Sequence, residues 1–126
     1  MDAFGQYFGT GMLEKSLDAA TLRQQVISNN IAHVNVAGYR PQAVLFEEKL
    51  KQLCDDAEED DPASGGWPSA EAVNNCSPEL QTKDGKVDIN REMTNLAKNQ
   101  ILYNALVQKL SGYLGALKYV VDNAGH

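Results

Sequence analysis

Two stretches of the chain repeat apolar residues at alternating steps of four and three. The first runs Leu13, Leu17, Ala20, Gln24, Ile27, Ile31 and Val34, with six of the seven positions apolar. The second runs Ile89, Met93, Leu96, Gln100, Tyr103, Val107, Leu110, Leu114, Leu117 and Val121, with nine of the ten apolar. That alternation keeps one face of an α-helix apolar and is the spacing of a coiled-coil seam. It predicts helices over 11–37 and 88–122, the second about 50 Å long at the usual helical rise. Leu22 and Val26 widen the first stripe. Thr10 suits an N-cap and Gly38 a left-handed C-terminal cap. Asp88 suits the N-cap of the second helix, and Glu92 favours its first turn through the helix dipole.

The intervening residues 38–87 follow neither period. Tyr39–Phe46 is extended in character, because Pro41 biases its predecessor away from helix. Phe46–Leu53 has the composition of a short helix, Gly65-Gly66-Trp67-Pro68 reads as a loop, and Asp84-Gly85 as a tight turn. Residues 1–10 place Phe4, Tyr7 and Phe8 among Gly5 and Gly9, which predicts a flexible arm that either docks on a neighbour or stays disordered. The expected fold is mainly α: two long terminal helices with coiled-coil-like packing form one helical domain and bracket an extended or loop insert with little or no β.

Composition narrows the class. A chain of 126 residues favours one domain, and 43% hydrophobic residues is too many for a disordered one. No apolar run is long enough to span a bilayer. Met1-Asp2 opens acidic, with no basic stretch leading into an apolar segment, so a cleaved secretory signal is not expected. The net charge of −6 is concentrated between Gln52 and Thr82, which holds eight acids and no Lys or Arg. The remainder has eleven cations against nine anions, a net +2. It offers no basic patch for phosphates, so nucleic acid is not an expected partner. The run Asp55–Asp61 predicts a solvated, mobile loop, since like charges this dense repel.

Catalytic chemistry is not indicated. Gly9-x-Gly11 continues to Glu14 where a dinucleotide fingerprint needs glycine, and no Walker, zinc-protease or nucleophile-elbow motif occurs. The imidazoles are His33 and the terminal His126, and the carboxylates cluster where a fixed acid–base pair is hard to hold. Cys54 and Cys76 fit no zinc or redox spacing; a disulfide closing the acidic stretch and two free thiols both remain open. Asn75-Cys76-Ser77 matches a glycosylation acceptor only formally. No enzyme activity, metal, cofactor or small-molecule substrate is expected.

The most specific signal is Ser28-Asn29-Asn30-Ile31-Ala32-His33-Val34-Asn35-Val36-Ala37-Gly38-Tyr39-Arg40. It resembles the Asn-Ile-Ala-Asn, then Pro-Gly-Tyr-Lys signature of bacterial flagellar rod and hook proteins, matched here at Asn30, Ile31, Ala32, Asn35, Gly38 and Tyr39. His33 stands where that signature usually has Asn, and Val36-Ala37 replaces Thr-Pro. The short length, Phe46-Glu47, and Val87–Met93 leading into Leu96-Ala97-Lys98-Asn99-Gln100 and Tyr103 resemble the proximal rod proteins within that group. The resemblance covers about 10–50 and 80–122 and lapses across the acidic insert. It implies a structural subunit of the basal-body rod, transmitting torque across the periplasm and exported through the flagellar type III apparatus without a cleaved signal. Implied partners are other rod subunits, the adaptor joining rod to ring, and the membrane-embedded ring.

Several residues then acquire expected roles. Tyr103 with Leu106, and Tyr113 with Leu117 and Val120, broaden the second stripe beyond a two-helix seam, providing either intersubunit contact or additional core. Gln24 and Gln100 interrupt the seams, as polar residues that select register do. Ser111, Gly112, Gly115 and Ala116 form a small-residue patch, read either as close approach of a neighbouring helix or as a kinked end. The pair of helices buries little surface alone, so its termini are expected to order on assembly. The competing reading is a cytosolic helical-hairpin adaptor or chaperone using the same stripe for one partner.

Overall fold

The computed structural model describes residues 10–124. Helix α1 spans Thr10–Ala32 and is followed by a turn, then strand β1 (Gln42–Leu45) and helix α2 (Glu47–Asp60). A 3-10 turn over Pro62–Ser64, the short helix α3 (Ala70–Asn75) and strand β2 (Glu79–Thr82) lead to helix α4 (Ile89–Ala124). The fold is mainly α, with long helices at both ends and one small antiparallel sheet pairing Gln42 with Thr82 and Leu45 with Glu79. The arm expected over residues 1–10 lies outside the described residues except for Thr10, which already belongs to α1.

The first helix stops at Ala32 rather than at 37. Past that point the His33 N–H is shared between the carbonyls of Asn29 and Asn30, both at 3.2 Å. Val34, Val36 and Tyr39 then donate three residues back, to Ile31, His33 and Val36. This tightens the last turn and ends the regular helix. Val34 therefore sits in the turn, and Gly38 adopts φ +78° to complete the reversal. The second helix starts as its sequence predicts. Asp88 Oδ1 accepts from the N–H groups of Asn90 and Arg91 at 3.1 and 3.2 Å, and the Asp88 carbonyl accepts from Glu92 N–H at 2.9 Å.

The acidic run is not a loop: Asp55–Asp60 continues α2. Its Glu, Lys, Leu, Gln and Ala residues form helix readily. Leu50, Leu53, Cys54 and Ala57 give it a partly buried stripe. The carboxylates stay in water, where a pair 4 Å apart repels by only about 1 kcal/mol. The Gly65-Gly66 loop closes the helix end, with Ser64 Oγ donating to the Ala57 carbonyl at 3.2 Å. Cys54 and Cys76 are free thiols, the second buried.

The core lies where α1, β1, α2 and α3 meet. Ala19, Phe46 and Cys76 are buried together, with Val44, Leu50 and Leu53 packed around them. Ala19 and Ala20 let α1 be approached closely on two sides, Ala19 by this cluster and Ala20 by α4, whose Asn99 Nδ2 donates to the Ala20 carbonyl at 2.9 Å. With Asn30 bonded to Glu92, this contact fixes α1 and α4 as antiparallel. Phe46 is 2% exposed. Phe46→Ala is expected to lower stability by about 3–5 kcal/mol in urea unfolding, whereas Leu80→Ala on the exposed strand β2 is expected to change it by less than about 0.5 kcal/mol.

Candidate assembly interface

The site begins with the unpaired edge of β1. Pro41 and Lys83 form a bonded pair, Lys83 N–H donating to the Pro41 carbonyl at 2.8 Å. Alternation along an antiparallel ladder then turns the backbone groups of Gln42 and Val44 away from β2. Helix α1 meets that edge with side chains. Asn30 Oδ1 accepts from Gln42 N–H at 3.0 Å, and Asn30 Nδ2 donates to the Gln42 carbonyl at 2.8 Å, so the carboxamide takes the place of a strand. Arg23 Nη2 donates to the Val44 carbonyl at 3.4 Å and to Glu47 Oε2 at 2.7 Å, while Nη1 donates to Glu47 Oε1 at 2.9 Å.

Asn30, 1% exposed, has no spare hydrogen-bonding capacity. Its second donor reaches Glu92 Oε2 on α4 at 3.3 Å, and its oxygen also accepts from the Tyr39 hydroxyl at 3.1 Å. The Tyr39 oxygen in turn accepts from Asn29 Nδ2 at 3.1 Å. The His33 ring stacks on Tyr39 with centroids 4.5 Å apart. His33 Nδ1 lies 2.7 Å from the Asn29 carbonyl, which only accepts, so that nitrogen carries the proton. The signature thus brings Asn30, Gly38 and Tyr39 together through the turn. Ile31 is half-buried, and nothing in the structure explains Ala32 and Asn35, which are exposed.

The seams resolve differently from their heptads. In α1, Leu13, Leu17, Ala20, Ile27 and Ile31 are buried or half-buried, but Gln24 is exposed and Arg23 takes the inward place. In α4, Leu96, Leu110 and Leu117 are half-buried, while Glu92 and Asn99 are buried in place of Met93 and Gln100. Gln24 and Gln100 thus face away from the α1–α4 contact, and the polar residues at that contact are Asn30, Glu92 and Asn99. The helix is turned by one residue because Asn30 and the Ala20 carbonyl require polar partners. That exposes the other half of the stripe: Ile89, Met93, Tyr103, Val107, Leu114 and Val121 all face outward. Among the described residues, eleven of the fourteen large hydrophobics left exposed lie on α4, so this helix carries a large apolar surface outside its own fold. Around Gly112 and Gly115 the structure leaves open space.

No protein-family model matches the chain. Curated relatives do. The flagellar basal body rod protein FlgB of Bacillus subtilis (strain 168) is 33% identical, over 86% of this chain and 89% of that protein. The chain belongs to the FlgB family of flagellar basal body rod proteins. The FlgB proteins of Escherichia coli (strain K12) and Yersinia enterocolitica are 24% and 25% identical, each covering 90% of its own length. A structural rod protein of this family agrees with a site built from packing and hydrogen bonds.

In this FlgB-family chain Asn30→Ala leaves both Gln42 backbone groups and the Tyr39 hydroxyl short of a partner. A loss on the order of 3 kcal/mol is expected. Tyr39→Phe removes one hydroxyl and is expected to cost about 1 kcal/mol. A double-mutant cycle between the two in chemical denaturation is expected to give a coupling above about 0.5 kcal/mol; strict additivity would mean that the junction does not act as a unit.

Proposed function

We propose that the chain is a subunit of the proximal rod that self-assembles with other rod subunits through the outward face of α4, forming the shaft that transmits motor torque. The observation that carries this reading is the division of α4 into two faces, one held to α1 with Glu92 and Asn99 buried in it and an apolar one in solvent. A torque shaft needs rigid subunits and contacts that do not slide. The buried hydrogen bonds support the first requirement and the apolar face the second.

The partners in this reading are neighbouring rod subunits, the adaptor that joins rod to ring, and the membrane-embedded ring. The chain travels to them through the type III export apparatus and resides in the periplasmic rod. No described helix is long and apolar enough to cross a membrane, which suits a subunit attached to the ring by contact. Gly112 and Gly115 support close helix approach: each costs about 1 kcal/mol in helix propensity relative to alanine, and the free fold gives neither a steric reason to be glycine.

The test is incorporation. Basal bodies stripped of hook and filament, prepared from the native bacterium, are expected to contain this chain in stoichiometric amount by mass spectrometry. Met93→Glu, Val107→Glu and Val121→Glu together are expected to abolish incorporation and motility. Being outward-facing, they should change the free protein's stability by only about 0.5 kcal/mol each or less. Gly112→Ala should stabilise the free helix by up to about 1 kcal/mol, and Gly112→Leu should block assembly. A chain abundant in the cytosol and missing from basal bodies would instead favour the adaptor reading.

A further inference from the structure

Two unmatched features of the molecule fit each other. The first is a cleft of about 310 Å³ between α1, β1 and α4, with Val26, Ile27, Val44 and Leu102 as its apolar lining. Asn99 lines it too, at 3% exposure. Its Nδ2 must face the Ala20 carbonyl, which only accepts, so the buried Oδ1 is the atom left over, and it has no hydrogen-bond partner. That oxygen is fully buried behind the lining, so what the cleft presents to an occupant is its apolar wall and the charges at its rim. Of the charges lining the cleft, Arg23 is matched by Glu47 and Glu92 receives Asn30. Lys98 has no carboxylate in ion-pair range among the described residues.

The second feature is Trp67, the chain's one tryptophan, 64% exposed at the tip between α2 and α3. Its loop lies along the acidic end of α2, where Gly66 faces Cys54 and Glu58. Indole is a large apolar body with a single N–H donor and no acceptor. The cleft is at the small end of the roughly 300–1,000 Å³ that binding pockets occupy, which suits one aromatic side chain.

We propose that the cleft is the receptor for Trp67 of a second copy of this chain, its indole packing on Val26, Ile27, Val44 and Leu102 while the acidic Asp55–Asp61 run that precedes it in the chain approaches Lys98. Knob and hole lie on different parts of the surface, so the contact is head-to-tail, and such a contact propagates into an open helix when the rotation does not close. The inference rests on the rod reading and names the contact that would order successive copies.

The test is a concentration series of the full-length protein, followed by Trp67 emission and sedimentation. Association is expected together with a blue shift of the emission. Trp67→Ala and Lys98→Glu should each weaken association at least tenfold, and Asp60→Lys should recover part of the Lys98→Glu loss. Trp67→Phe, which keeps an aromatic ring of smaller area, should fall between wild type and Trp67→Ala. Lys98 and Trp67 are surface residues, so their variants fold even if Asn99→Leu does not. Association with unshifted emission, a Trp67→Ala protein that associates like wild type, or a wild-type chain that stays monomeric at millimolar concentration would each overturn the proposal. Equal entry of wild type and the Trp67→Ala variant into basal bodies would overturn it while leaving the rod reading intact. Association through Trp67 without any entry into basal bodies would do the reverse.

Discussion

The carboxamide of Asn30 is the point through which the two ends of the chain are joined. A two-stranded sheet leaves β1 with an open edge, and open edges invite pairing with other chains. Here α1 closes that edge with side chains, Asn30 on Gln42 and Arg23 on Val44, and the same carboxamide reaches α4 through Glu92. Both donors and both acceptor sites of one buried group are occupied, by strand, turn and distant helix. Networks of this kind are costly when incomplete, because the low local dielectric penalises every unpaired member. A slip of α1 against α4 by one residue would strand several groups at once, so the network fixes the register.

This explains which parts of the fold were legible in the sequence. Both terminal helices, the Asp88 cap, the extended stretch after Pro41 and the turn at Gly38 follow from local rules of period and conformation. The faces of the helices do not. Heptad reasoning carries one apolar period through the whole helix, which places Met93 and, as its polar interruption, Gln100 inside, whereas Glu92 and Asn99 are the buried residues. No periodic signal marks them, since their burial is set by the Gln42 edge and the Ala20 carbonyl, groups far away in the chain. The family signature did contain Asn30 and Tyr39, yet the reason for them became visible only when the turn brought the hydroxyl back to the carboxamide. The acidic segment departs from its expected loop for a related reason. Its charge density suggested a loop, but an exposed helix keeps its charges solvated and needs only the narrow stripe of Leu50, Leu53, Cys54 and Ala57 to dock.

Length and burial also diverge along α4. Its 36 residues extend about 54 Å, against 23 residues for α1. The antiparallel contacts, Asn30 to Glu92 and Ala20 to Asn99, carry the start of α1 to the neighbourhood of Leu110. Beyond it, Tyr113, Leu114, Tyr119, Val120 and Val121 are exposed. A helix that holds so much apolar surface outside its own fold has placed much of its hydrophobic free energy where only association can realise it.

The arrangement departs from the usual helical hairpin in two ways: Glu92 and Asn99 are buried among the apolar residues of the α1–α4 contact, and much of the apolar surface of α4 faces outward. Apolar contact is strong but non-directional, and two greasy helices can slide past one another at little cost. Buried hydrogen bonds contribute less net free energy, but they tolerate few geometries. Putting the polar network inside the subunit settles its shape before any neighbour arrives. On the proposed rod function, the apolar face of α4 is the surface left for a partner, and the specificity of that contact comes from its shape and from polar groups at its margins. A subunit with the opposite arrangement would hold together more strongly alone and would offer its neighbours a less defined geometry. On the proposed function as a rod subunit, that division puts adhesion on α4 and leaves the internal geometry to the buried hydrogen bonds.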